Sequence, residues 1–152
     1  MKALTLTQPW ATLMALGKKH YETRSWSTNY RGLVAITASC GFPRACRELC
    51  DIFPFNQYVP DPDILPRGKI VAVGELFHVH STEVIAKDLR GQAVFFKSGG
   101  YLEELQFGDY SPGRFAWKFI NIQPLKTPVD VCGNLGLWNL DEETEKMVLL
   151  SL

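Results

Sequence analysis

At 152 residues the chain is long enough for one domain with a real core and hardly long enough for two. Hydrophobic residues at 46% and charged residues at 21% are ordinary for a folded domain and exclude wholesale disorder. Sixteen basic residues balance sixteen acidic ones, so no global field draws the chain to a polyanion, and any nucleic-acid binding has to come from a local basic cleft.

The opening MKALTLTQPW carries one lysine and then a short mixed stretch broken by Gln8 and Pro9, without the apolar core of a signal peptide. No stretch approaches the roughly 20 apolar residues needed to cross a bilayer. The expectation is one cytoplasmic domain over residues 1–152, with no membrane partner. A short helix is predicted over 9–16: Thr7 or Gln8 could cap it, Pro9 suits its first position, and Gly17 is placed to end it. Residues 21–26 (YETRSW) and 33–38 (LVAITA) suit strands, with Asn29 to Gly32 turning between them. Pro43 opens a helix to about Phe53. The next stretch, Pro54 to Pro66, carries four prolines and reads as a surface loop.

Residues 69–80 (KIVAVGELFHVH) give the strongest strand signal, apolar on both faces as in a barrel or under a helix. A short capped helix follows over Ser81 to Leu89. The Gly- and aromatic-rich run from Gly91 to Gly113 has no clear period. Residues 114–122 form another strand, 137–140 pair briefly, and Asp141 caps a last helix with Glu142 and Glu143 near its positive end. Strands separated by short helices, without regular βαβ alternation, point to a small α+β barrel.

Two segments carry most of the chemistry. In extended 21–26, Glu22, Arg24 and Trp26 project from one face, with Lys19 just beyond the first helix. Taken alone, this spacing also fits an exposed, ion-paired edge strand of little energetic weight. In the strand from Lys69, simple alternation puts Glu75 on a face with Val71, Val73, Phe77 and Val79. A carboxylate there is costly unless a cation meets it, and Lys19 and Arg24 are the natural candidates. A β-bulge at Gly74 would instead turn Glu75 outward. Without the bulge the barrel holds an internal cluster of acids and bases, more often a ligand site than ornament.

The run Gln8-Pro9-Trp10, Gly17-x-Lys19-x-x-Glu22-x-Arg24-Ser25-Trp26 and Tyr30-Arg31-Gly32 resembles the ASCH (ASC-1 homology) family. The likeness continues through Gly68-Lys69-Ile70, Gly74-Glu75, the segment Phe107 to Arg114, and Gly136-Leu137-Trp138. It implies a PUA-like fold and a role with RNA. Relatives often carry a His and a Lys near the end of the second strand, where this chain has Thr37 and Cys40, so cationic groups are missing beside the expected cleft. In the amidohydrolase branch the position of Glu22 is a Thr, whereas Lys19 and a strand acid like Glu75 are shared.

The remaining candidates have plainer explanations. His78 and His80 share one strand face, a two-histidine metal seat without an evident third ligand; a solvated strand end explains them as well. Cys46 and Cys50 would share a helix face at metal-like spacing, but buried thiols account for the pattern. Trp10, Trp26, Trp117 and Tyr30 could stack on bases, although tryptophans in so small a domain serve the core first; Trp26 and Tyr30 stand out because they follow the charged cluster.

The expected function is binding of single-stranded RNA or a nucleotide-like small molecule, with no cofactor and no metal. Arg24, Arg114, Trp26 and Tyr30 are the expected ligand contacts. If the site is instead hydrolytic, acting on RNA or an N-acyl nucleoside, Lys19, Glu22 and Glu75 are the catalytic candidates. A third reading is a protein-interaction domain whose charges only hold the barrel together.

Overall fold

In the computed structural model, which describes residues 1–152, six strands from both ends and the middle of the chain join in one curled sheet. In chain order the elements are β1 (Lys2–Leu6), α1 (Trp10–Ala15), β2 (Tyr21–Arg24), β3 (Gly32–Ala38), α2 (Arg44–Glu48), β4 (Lys69–Ser81), α3 (Thr82–Phe96), α4 (Gly100–Gln106), β5 (Phe115–Asp130), β6 (Leu137–Asn139) and α5 (Glu142–Leu150). The sheet order is β2-β5-β4-β3-β1-β6. Only β1 and β3 run parallel; every other pair is antiparallel. The result is the α+β architecture expected from the sequence, a half-barrel with short helices around it.

Both faces of the central strands are covered, which is why β3 and β4 read as nearly continuous apolar runs. On the inner face Leu4, Leu6, Val34, Ile36, Leu76, Trp117 and Phe119 pack against Ala11 and Met14 of α1. Ala3, Ala35, Ile70 and Val73 point the other way, toward Val148 of α5. The same side farther along receives α3, whose Ile85 and Leu89 cover Tyr21 and Ala116. Trp117 is wholly buried and belongs to the core, so it offers no face to a ligand.

Several elements differ from the expectation. The helix opened by Pro43 stops at Glu48 and passes into a single tight turn over Leu49–Asp51, short of Phe53. β1 is a central strand, although ALTL is too short to stand out beside a turn-forming Gln-Pro. β5 continues from residue 122 to Asp130 despite Pro124 and Pro128. A slip of register between Ile70 and Ala72 of β4 makes room for Pro124, which has no N–H to give a regular ladder. The unassigned run after Leu89 holds the rest of α3 and all of α4. The proline-rich stretch stays a connection but is anchored, because Phe55, Val59 and Leu65 bury themselves beside Leu13 and Phe107.

Candidate functional site

The site is built at the end of α1. Leu16 closes that helix, Gly17 adopts a left-handed φ of 68°, and its N–H donates to Met14 O while Lys18 N donates to Leu13 O, at 2.9 and 3.0 Å. This is a Schellman closure, and it needs the conformational freedom of glycine at residue 17. It reverses the chain so that Lys19 enters the interior, where its side chain is only 1% exposed.

A buried ammonium requires partners for its three donors. Lys19 Nζ donates to Tyr21 O and, at 3.1 Å, to Phe107 O, and it stands 3.4 Å from Glu22 Oε2. The other oxygen of Glu22 lies 3.1 Å from Arg24 Nε. That N–H is buried and makes no aligned hydrogen bond, so charge rather than a directed bond holds the pair. Arg24 Nη2 donates to Thr5 O at 2.7 Å, tying β2 to the missed strand β1. Lys19, Glu22 and Arg24 thus form one chain of charge, as their spacing suggests.

Glu22 and Arg24 open into a cleft of about 530 Å³, walled also by Thr5, Trp10, Asp109 and Arg114. Arg114 reaches Thr23 O at 3.3 Å and Asp109 O at 3.2 Å, with the Asp109 carboxylate 3.4 Å from its Nε. Hydrogen bonds from the Ser111 hydroxyl and N–H, and then the Arg114 charge, hold the Asp109 carboxyl below the usual carboxylate range. Gly108 makes this approach feasible: a Cβ there would stand 3.0 Å from Thr23 Cγ2, where Asp109 N donates to Thr23 Oγ1 at 2.9 Å. Of the four aromatic candidates for stacking it is Trp10, not Trp26 or Tyr30, that reaches the wall, and Asp109 is a plain turn residue until the chain folds.

Glu75 does not join this cluster. It pairs with Leu33 on β3 and Ile120 on β5, flanking Val34 and Phe119, whose side chains face the inner core. Cross-strand partners share a face and neighbours alternate, so Glu75 points away from the Glu22 side. Glu75 keeps the face of Val73, but β4 carries an extra residue between Leu76 and His78, which pair with the consecutive Phe119 and Lys118, so the alternation reverses and Val79 joins Trp117 on the inner side without Glu75. A separate irregularity on β5 places Asn121 opposite this stretch with a left-handed φ of 50°. Asn121 Nδ2 donates to Glu75 Oε2 at 3.1 Å. The expected convergence of Glu75 with Lys19 and Arg24 is therefore corrected.

Trp26 and Tyr30 also lie off the cleft wall. Trp26 packs edge-on against Trp117 at 4.7 Å between ring centres and accepts from its indole N–H. Tyr30 donates to Leu33 O at 2.8 Å. Cys46 is half-buried and Cys50 buried, and burial pushes both thiols up. No three metal-ligating side chains gather anywhere in the chain.

Sequence reading passed over one buried acid. Glu104, on α4, accepts from His20 N at 3.0 Å and from Tyr21 N at 2.9 Å. The amphipathic signal of α4 is only two turns long and starts at a Gly-Gly pair, so the inward aim of Glu104 left no mark in the sequence. Together with the Phe107 carbonyl on Lys19, it clasps the start of β2 and fixes the strand that carries Glu22 and Arg24.

A curled half-barrel with such a cleft at its rim is a PUA-like fold. The chain belongs to the ASCH domain family, whose model matches residues 4–128. Among solved structures it is similar to the crystal structure of ASCH from Zymomonas mobilis, with 15% identity and a TM-score of 0.56 over 99% of this chain and 94% of that one. Two substituted forms of the same protein match comparably, one at 15% identity and TM-score 0.57 over 99% and 96% of the two chains, the other at 13% and 0.56 over 98% and 96%. At this identity the likeness speaks for the fold alone. No curated protein matches the sequence.

Proposed function

We propose that the cleft binds single-stranded RNA or a nucleotide cut from the same chemistry. One observation carries this reading: the two guanidinium groups that border the cleft, Arg24 and Arg114, are faced by two carboxylates, Glu22 and Asp109. Such a balanced site has no pull on a bare polyanion. It suits a ligand that offers acceptor oxygens and a donor edge together, as a nucleobase with its phosphate does. Arg24 has five N–H donors, of which Thr5 takes one, so others remain for a ligand. Trp10, half-buried on the wall, supplies the aromatic surface in place of Trp26 and Tyr30.

Lys19 acts as the strut that holds Glu22, since its ammonium is enclosed and committed to two carbonyls and a carboxylate. That arrangement favours binding over proton transfer by Lys19. The test is fluorescence anisotropy with short dye-labelled RNA strands. Arg24→Lys and Arg114→Ala are each expected to weaken binding about fivefold or more, near 1 kcal/mol. Equal affinity in wild type and both variants, or no binding by wild type, would overturn the assignment.

A further inference from the structure

The sheet face turned away from Trp117 carries a second concentration of positive charge. Tyr21, Lys118 and His78 stand in one row across β2, β5 and β4, because Tyr21 pairs with Lys118 and Lys118 with His78. Cross-strand partners point to the same side. His80 follows two residues on, and the two imidazole rings lie 4.6 Å apart between centres. His20 borders the same recess as Tyr21 and Lys118, so all three histidines of the chain lie on the Lys118 side of β5.

Three observations separate this cluster from a merely solvated strand end. His78 Nδ1 is buried and has no hydrogen-bond partner. The Lys118 ammonium has the Tyr21 ring as its neighbour, 5.7 Å from the ring centre, and no carboxylate in ion-pair reach. The charges that act on His78 are all positive, coming from His80 on its own strand, Lys118 on β5 and Arg31 before β3. Burial first, and then these three, hold the His78 imidazole below its ordinary range. The facing acids, Asp88 of α3 and Glu104 of α4, act on the Tyr21 phenol, and Glu104 is already taken by the His20 and Tyr21 amides.

We propose that His78, His80 and Lys118, with Arg31 at their margin, form a phosphate-binding site on the outer face, separate from the cleft. Its chemistry fits a phosphate oxygen: one guanidinium, one ammonium and two imidazoles that gain donors when protonated. An anion there relieves the mutual repulsion of the four groups. Binding therefore takes up a proton, and affinity rises as pH falls through the titration of His78. By linkage, the ligand draws the His78 pKa back up by the same coupling.

The experiment follows the imidazole nitrogens of the full chain by NMR, assigned with His20→Gln, His78→Gln and His80→Gln. Uridine monophosphate and a short single-stranded RNA are added separately at about pH 7.5 and about pH 5.5. The expected result is saturable movement of the His78 and His80 signals, with affinity about tenfold higher at the lower pH. Arg31→Ala with Lys118→Gln is expected to weaken the response about tenfold, while Arg24→Lys leaves it intact. Saturation by the mononucleotide assigns the site to a free phosphate; saturation by RNA alone assigns it to a backbone phosphate. Unmoved signals with both probes would overturn the proposal, as would an undiminished response in the double variant. Loss of the response in Arg24→Lys would also overturn it, because the histidines would then only report on the cleft.

Discussion

Lys19 Nζ donates to the carbonyl of Phe107 at 3.1 Å and so locks the end of α1 to the residue that follows α4. The same ammonium supports Glu22, and no water competes at 1% exposure. Removing it takes from Glu22 one of its two cations and leaves the Tyr21 and Phe107 carbonyls without their donor. Lys19→Ala is expected to cost about 3–5 kcal/mol in urea unfolding, the range for breaking a buried charge pair from one side. Lys19→Met keeps the packing of the stem and loses less. A neutral Lys19→Ala would show that the ammonium is not enclosed.

Glu104 makes the second clasp on β2. Its carboxylate accepts from two consecutive amides, His20 N and Tyr21 N, in a setting where the residue is 5% exposed. Glu104→Ala leaves both donors without partners and is expected to cost about 2–4 kcal/mol, whereas Glu104→Gln, which retains one acceptor, loses roughly half as much. Hydrogen exchange provides the local check. The amides of His20 and Tyr21 are expected to lose protection before the core strands do.

Asp141 caps α5 through the Thr144 N–H at 2.8 Å and the Thr144 hydroxyl at 2.8 Å. These two bonds, the amide first, hold its carboxyl below the usual range. A depressed folded-state pKa adds stability above the unfolded value, and that stability is lost as pH falls through the folded value. Asp141→Asn is therefore expected to melt below wild type at neutral pH, with the gap closing in acid. A gap that stays constant from neutral to acid pH would contradict this account.

The sequence made the sheet legible wherever an apolar run was long, as in 33–38 and 69–80, and it made the charged chain on β2 legible because period two alone places Glu22 beside Arg24. Simple alternation puts Glu75 on the face of Val79, but an extra residue of β4 between Leu76 and His78 parts the two, and the apolar run there carries no sign of it. Trp26 and Tyr30 follow the charged cluster in sequence, but β2 ends at Arg24 and both rings turn back onto the core. Trp10, part of the α1 face in sequence, reaches the cleft wall because α1 is short and enters at its rim. Glu104 was hidden for a different reason: its partners are backbone amides 83 and 84 residues away, which leave no trace in side-chain pattern.

Salt dependence distinguishes the roles of the cations. On single strands each phosphate contact contributes about −0.7 to the slope of log affinity against log salt. Two contacts, from Arg24 and Arg114, give an expected slope of about −1.4, shallow as befits a chain with no net charge. Arg114→Ala is expected to flatten that slope by about 0.7, and Arg24→Lys to weaken binding while keeping the slope. Lys19→Met should leave the slope alone, because its buried ammonium meets no phosphate. Trp10→Ala is expected to lower affinity by about 1–3 kcal/mol without changing the slope, since stacking releases no counterions. Trp26→Ala should instead show its effect in the melting temperature, its ring being packed on Trp117. An unaltered affinity in Trp10→Ala, or a slope that flattens in Lys19→Met, would move the ligand away from the Arg24–Arg114 cleft.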